Sequence, residues 1–309
     1  MKVLLKWLGI ILAGVIVLLL IFAGYVYFKS ASMLSKTYTH IQGKNIYVPN
    51  DSATVARGEH LVHCIAGCAG CHNPDLGGYS QDMMPFMMFN TSNITFGKGG
   101  LPADYTIEDL DLIVRHAVKR DKTGVFIMPS YHYNRMADKD VAAIYAYLKT
   151  ATKVDKESPA LELGPIGRMV LSQGGLIALP EVTDHSYKPP LEVAPSATPQ
   201  YGKYLAEVAC IGCHGPKYSG GPLFQGDPSW PPASNLSTTL KKYTQESFQA
   251  FLLTGIRPDG TIVDTVAMPI RDLKHADSLE VSALWQYLSA LPREETGKAT
   301  WLKEAGIEE

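Results

Sequence analysis

The sequence predicts an all-α chain, with one N-terminal membrane-spanning helix followed by two tandem copies of a small helical unit. Three observations carry that expectation. Trp7–Phe28 is a run of 22 residues without a charge. The pattern Cys-x-x-Cys-His occurs twice, at 68–72 and at 210–214. A series of loops and helices recurs behind each copy in nearly constant register. The corresponding ranges are 1–30 for the anchor, 50–150 for the first unit, 151–200 for a connector and 201–295 for the second unit.

Composition bounds the reading. The chain has 309 residues, of which 46% are hydrophobic and 19% charged, which excludes an extensively disordered or collagen-like protein. Lys and Arg number 28 against 30 Asp and Glu, so no basic excess is available to neutralise a phosphate backbone, and no nucleic-acid partner is expected. Five cysteines are too few for a disulfide scaffold in a chain of this size.

The uncharged run, as a helix, is about 33 Å long, enough to cross a hydrocarbon core of about 30 Å. Trp7 lies at one end and Tyr25 and Tyr27 at the other, where aromatic side chains favour the membrane interface. Lys2 and Lys6 precede the run, whereas Lys29, Lys36 and Lys44 follow it more loosely, which favours an inside N-terminus. A cleaved signal peptide with Ser30-Ala31-Ser32 as its small-residue site is the competing reading, but signal cores are usually only about 7–15 residues long. Leu161–Pro180 is apolar, but Glu162, Pro165 and Arg168 interrupt it as a second span.

Cys68-x-x-Cys71-His72 and Cys210-x-x-Cys213-His214 have the attachment pattern of a c-type haem. Two thiols about one helical turn apart can each form a thioether to a haem vinyl group, and the adjacent histidine then presents its imidazole to the iron. A zinc site shared by the two motifs would have to close across 139 residues, although each motif is already complete as a haem site. A redox Cys-x-x-Cys leaves the paired histidines unexplained. Two covalently attached c-type haems are therefore expected, and Cys64 remains as a lone cysteine with burial as its default.

Behind each motif the chain repeats Asn93-Ile94-Thr95 as Asn235-Leu236-Ser237, then a helix over Thr106–Lys119 or Thr244–Thr254, each opening on a Thr N-cap. Met128-Pro129 and Met268-Pro269 follow, and each unit closes on an amphipathic helix, Asp138–Lys149 or Asp277–Leu288. His72 and Met128 are 56 residues apart and His214 and Met268 are 54, while Met128–Tyr147 and Met268–Tyr287 are both 19. A methionine held by a following proline at a recurring position suits the sixth ligand of a haem iron. His72 and Met128 are thus the expected axial pair of the first haem, and His214 and Met268 that of the second.

Other candidates lack such a repeat. His132 and His275 stand in different registers after Met128 and Met268, and His60, His63 and His116 have no counterpart in the second unit; each reads as a surface or pocket-wall histidine. Met83, Met84, Met87 and Met88 could bind copper through thioethers, and the expectation is that they line the first haem pocket instead. The connector holds seven prolines and no clear period, which suits a surface path. Its apolar middle, Ile166–Leu179, is expected to pack between the haem units.

These residues resemble membrane-anchored, multihaem class I c-type cytochromes of bacteria, above all the cytochrome subunits of periplasmic alcohol and aldehyde dehydrogenases. The matching residues run from Gly58-Glu59-x-Leu61-Val62 through the first motif, Asn93-Ile94-Thr95 and Met128-Pro129 to Asp140-Val141-x-Ala143-x-Tyr145-Ala146-Tyr147-Leu148. The second unit echoes them with Arg257-Pro258-Asp259-Gly260, Met268-Pro269 and Leu284-Trp285-x-Tyr287-Leu288. The resemblance implies two tandem class I cytochrome c domains. In each, the helix entering the Cys-x-x-Cys-His motif crosses a C-terminal helix. It also implies a location in the bacterial inner membrane with the haem domains on the periplasmic side. Those dehydrogenase subunits typically carry three haem motifs and an anchor elsewhere, whereas this chain has two motifs and an N-terminal run.

The function expected is electron transfer in a respiratory or photosynthetic chain through two His/Met-ligated haems, with membrane-bound or periplasmic redox proteins as partners. A six-coordinate iron has no position open to substrate, so a carrier is expected before an enzyme. The alternatives are a dihaem peroxidase, a thiosulfate-oxidising enzyme, or an electron-transfer subunit of a periplasmic dehydrogenase complex.

Overall fold

The computed structural model describes residues 2–226, 229–265, 267–297 and 301. Residues 1, 227, 228 and 266 of the expected anchor and second-unit ranges lie outside the described residues. Helix α1 (Lys2–Leu34) is about 50 Å long by its rise per residue, and it is long and apolar enough to cross a membrane. None of its most apolar stretch is buried by the rest of the described chain, whereas Val26 and Ser30 near its end are buried.

Helix α2 (Ser52–His60) starts at Asp51, whose carboxylate accepts from the Thr54 amide at 2.9 Å. It continues as a π-turn, Leu61–Ile65, and the left-handed Gly67 then redirects the chain into α3 (Cys68–His72). After the hairpin β1 (Ser80–Met83) and β2 (Met87–Asn90) come α4 (Ile107–His116), α5 (Ser130–Tyr133) and α6 (Asp138–Thr150). The connector contributes β3 (Glu162–Leu163) and α7 (Pro165–Ser172). The second half repeats the series as α8 (Pro199–Ala209), α9 (Ile211–His214), α10 (Leu236–Thr239), α11 (Gln245–Thr254), α12 (Ile270–Leu273) and α13 (Ser278–Leu288). Thr106 and Thr244 each close a capping box, with Asp109 and Ser247, where the sequence placed the helix starts.

The chain is mostly helical, but the all-α expectation needs one correction. β1, β2 and β3 form a small antiparallel sheet in that order, with Met87 opposite Leu163. The connector supplies the third strand, so no local pattern in 80–90 announced the pairing. A second correction concerns the connector's apolar middle. Leu163, Leu171, Leu176 and Ala178 pack with Tyr38, Met87, Leu112 and Phe126 in a side cluster beside α1, and not between the two halves. Leu179 at its end and Val182 just beyond join the main core instead, which runs continuously through both halves.

The halves cross their helices in the same way. A Cβ on Gly58 of α2 would lie 1.9 Å from the Ala143 carbonyl oxygen of α6, and one on Gly202 of α8 would lie 1.9 Å from that of Ala283 in α13. Each glycine lets two helix backbones touch. Gly202→Ala is therefore expected to cost about 3 kcal/mol or more, since the clash is with backbone that cannot rotate away. Thermal unfolding of the variant checks this, and a cost under about 1 kcal/mol would mean the crossing is looser than it looks.

Candidate functional site

Each Cys-x-x-Cys-His motif forms one short helical turn, which brings its two thiols to the same side. Burial pushes the Cys68 and Cys210 thiols up to about 12, and it raises Cys71 and Cys213 as well. Thiols consumed in thioethers need no thiolate in the finished protein.

The two histidines are held alike. Nδ1 of His72 lies 2.7 Å from the Ser92 carbonyl, and Nδ1 of His214 lies 2.7 Å from that of Ser234. A carbonyl can only accept, so Nδ1 carries the proton and Nε2 keeps its lone pair for a metal. Burial lowers both imidazole pKa values, with the carbonyl bonds opposing it, which keeps the rings neutral and able to ligate.

The residue after each acceptor locks that loop. The Asn93 amide donates to the carbonyls of Val154 at 2.6 Å and Lys156 at 3.1 Å, and that of Asn235 donates to Glu294 at 2.9 Å. Asn93 Oδ1 accepts from Thr95, and Asn235 Oδ1 from Ser237. The sequence showed this Asn-x-Thr/Ser repeat without its purpose, which is to fix the carbonyl that orients the histidine.

The two Met-Pro steps share one backbone geometry. The Ser130 amide donates to the Met128 carbonyl at 2.7 Å, and the Ile270 amide to that of Met268 at 2.7 Å. Pro129 (φ −78°, ψ 50°) and Pro269 (φ −78°, ψ 57°) are the central residues of these inverse γ-turns. In the second half Cys210, Cys213, His214 and Met268 all line one cleft, walled by Leu223, Pro231 and Val263 among others. In the first half Cys68 and Met128 both pack, half-buried, against the main core. Two thiols on one turn, a neutral imidazole with a free Nε2 and a thioether on an apolar wall are a donor set that fits a c-type haem.

Other side chains fall away from this chemistry. Met87 is buried in the side cluster, whereas Met83 and Met84 are exposed. Cys64 is buried in the π-turn, with its thiol pushed up to about 12 by burial. The π-turn has a clear cause: ten residues separate Gly58 from Cys68 and eight separate Gly202 from Cys210, and the first half absorbs the surplus there and at Gly67. His63 contacts the Tyr147 hydroxyl and His116 contacts His185. His132 is neither a surface nor a pocket residue. It is buried with its Nε2 beside Gly212, where a Cβ would come within 2.5 Å.

That contact belongs to a relation the sequence did not reveal. Asp272 stands where His132 does in the other half, and its carboxylate would lie 2.5 Å from a Cβ on Gly70. Tyr131 donates to the Gly212 carbonyl at 3.2 Å, and its counterpart Arg271 donates to the Gly70 carbonyl at 2.9 Å. Each Met-Pro helix therefore rests on the attachment loop of the opposite half, in a pseudo-twofold exchange. His60 with Glu280 at 2.8 Å and Tyr204 with Asp140 at 2.6 Å repeat the reciprocity on the entering helices.

Comparison with known proteins bears on the family of the first half and on the relatives of the chain. Residues 55–152 match the family model described as Cytochrome c. The chain is 27% identical over 273 residues to the fructose dehydrogenase cytochrome subunit of Gluconobacter japonicus, covering 77% of this chain and 53% of that protein. It is 26% identical to the cytochrome c subunit of the quinone alcohol dehydrogenase of Gluconobacter oxydans (strain 621H), covering 80% and 57%. It is 24% identical to one subunit of the nicotinate dehydrogenase of Pseudomonas putida, covering 79% of this chain and 22% of that protein. The chain thus spans little more than half the length of the first two relatives. Residues 55–152 are a cytochrome c domain, which implies a covalently bound c-type haem, in a chain similar over most of its length to cytochrome subunits of dehydrogenases.

Proposed function

We propose that this chain is a membrane-tethered dihaem cytochrome that serves as the electron-transfer subunit of an extracytoplasmic dehydrogenase complex. The observation that carries the reading is the recurrence of one donor set. Both histidines are oriented by a carbonyl at 2.7 Å, and both Met-Pro steps are closed by the same γ-turn. The second half therefore offers the same holding groups as the half that matches the cytochrome c family. Cys68, Cys71, His72 and Met128 hold the first haem, and Cys210, Cys213, His214 and Met268 the second.

A bound haem supplies one-electron redox chemistry at iron. The chain's own residues do the rest. The histidines and methionines would hold its iron, the cleft walls would exclude water, and the asparagine clamps would keep the imidazoles from turning. The dehydrogenase partnership rests on the names of the relatives.

The anchor reading is supported by α1 itself. Ser30, the first residue of the small-residue cleavage pattern, is buried within the helix and accepts from Arg168 at 3.1 Å. Cleavage there would remove the α1 residues that pack on α7.

The test is a mass measurement of the full chain purified in detergent, followed by a redox titration with carbon monoxide added to the reduced form. The expected result is the mass of two haems on four cysteines, two low-spin transitions and no carbon monoxide binding. One haem by mass would overturn the dihaem reading, and ready carbon monoxide binding would overturn the six-coordinate carrier.

A further inference from the structure

The methionines at 83 and 84 and the apolar connector helix α7 take no part in the site, yet the fold brings them together beside α1. The tip of the β1–β2 hairpin is tied to the start of α7: the Gly164 amide donates to the Phe86 carbonyl at 2.8 Å and the Ile166 amide to that of Pro85 at 3.2 Å. Met84 lies across Gly164, with its sulfur 2.9 Å from where a Cβ would be. The result is one protrusion with Met83, Met84, Ile166 and Met169 on its surface, 38%, 41%, 44% and 41% exposed.

Its height relative to a bilayer follows from α1. Twenty residues counted from Trp7 span about 30 Å, the thickness of a hydrocarbon core. The core then ends near Val26, the residue at which α1 begins to be buried against the rest of the chain. Arg168 of α7 bonds Ser30 and lies 4.8 Å over the ring of Tyr27. Lys29 sits 5.5 Å from the Tyr25 ring. Aromatic rings with cationic neighbours mark the headgroup level, where long basic side chains keep their charge in water. Ile166 and Met169 of the protrusion flank Arg168 on α7, which is tied to this level of α1.

We propose that α7 and the hairpin tip form a second membrane contact, in which Met83, Met84, Ile166 and Met169 enter the outer bilayer interface and hold the first half against the lipid surface. Unbranched, polarizable methionines suit such a surface, since they adapt to an irregular apolar environment. Burial of apolar side chains at the interface adds to the hold of α1. It also fixes the tilt of the first half over the membrane, which a single helix alone leaves free. This inference rests on the reading of α1 as a membrane span.

Single-cysteine variants of the full holoprotein in phosphatidylethanolamine–phosphatidylglycerol vesicles test both readings separately. Met84→Cys and Met169→Cys probe the protrusion, Ile16→Cys probes the span, and Leu191→Cys is the exposed control. In the dihaem holoprotein proposed above the four motif cysteines carry thioethers, and Cys64 is buried, so the background is low. Each variant is treated with a charged, water-soluble maleimide and with an apolar one. Reaction with the charged reagent is expected to be lost at 84 and 169 and kept at 191, while the apolar reagent still reacts at 84 and 169. If 16 is protected but 84 and 169 react freely with the charged reagent, the second contact is wrong and the span stands. If 16 reacts freely too, both readings fall. Loss of both reagents at 84 and 169 would mean that protein covers them, and would also overturn the proposal.

Discussion

Met268→Ala is expected to lower the reduction potential of the second haem by on the order of 0.1 V and to open its iron to carbon monoxide, because methionine ligation raises the potential and axial-ligand choice spans about 0.8 V across haem proteins. The local structure explains why His275 and Asp264, among the described residues near it, would not step in. Met268 projects from a γ-turn whose backbone is fixed by proline and by the Asp264 carboxylate, which accepts from the Ala267 amide at 3.1 Å. Asp264 is thus held in the turn. His275 lies on the exposed surface seven residues on. Alanine therefore leaves the sixth position to water or to an added ligand. Met268→His is the matching control, expected to restore six-coordination at a lower potential. Met128→Ala is expected to act on the first haem and leave the second unchanged. A redox titration with visible spectra and carbon monoxide reads all three variants. An unchanged spectrum and potential in Met268→Ala would remove Met268 from the ligand set.

The residues of this site were legible because their chemistry depends on short spacing. Two cysteines and a histidine on one helical turn, and a methionine before a proline, are local patterns, and their repetition in one chain made each copy evidence for the other. The helix starts at Thr106 and Thr244 were legible for the same reason, since a capping box lies within four residues. What stayed hidden was set by partners far along the chain. The third strand beside 87–90 comes from Glu162–Leu163, far along the chain, and His132 is buried because Gly212 of the other half leaves room for it. The pseudo-twofold exchange was hidden most deeply. Its members, such as Tyr131 with Arg271 and His132 with Asp272, keep their position but not their residue type, so a search for repeated letters passes over them.

The exchange makes Arg57 the most consequential residue outside the haem loops. It extends from α2 to Asp140 of α6, with two contacts at 3.0 Å, and to Glu280 of α13 at 3.3 Å, so one guanidinium serves a carboxylate from each half. The Glu280 side chain is 2% exposed and that of Asp140 10%. Burial works against the guanidinium charge, but Asp140 outweighs it and holds the group firmly protonated. Arg57→Ala leaves two buried carboxylates with one fewer cation. Tyr204 still donates to Asp140, and His60 and the Asp277 amide still approach Glu280, but none brings a permanent positive charge. The expected cost is about 3–5 kcal/mol, the range for breaking a buried ion pair from one side. Arg57→Lys keeps the charge but loses the fork that reaches both carboxylates, so it is expected to recover part of that loss. Pairing Arg57→Ala with Glu280→Gln separates the two terms. If the penalty comes from the unpaired charge across the halves, the double variant is more stable than Arg57→Ala alone, whereas independent packing losses would simply add. Denaturant unfolding of the full chain in detergent gives these values. A loss under about 1 kcal/mol for Arg57→Ala would place the bridge among exposed pairs of little worth and leave the shared hydrophobic core and the other contacts between the halves to hold them together.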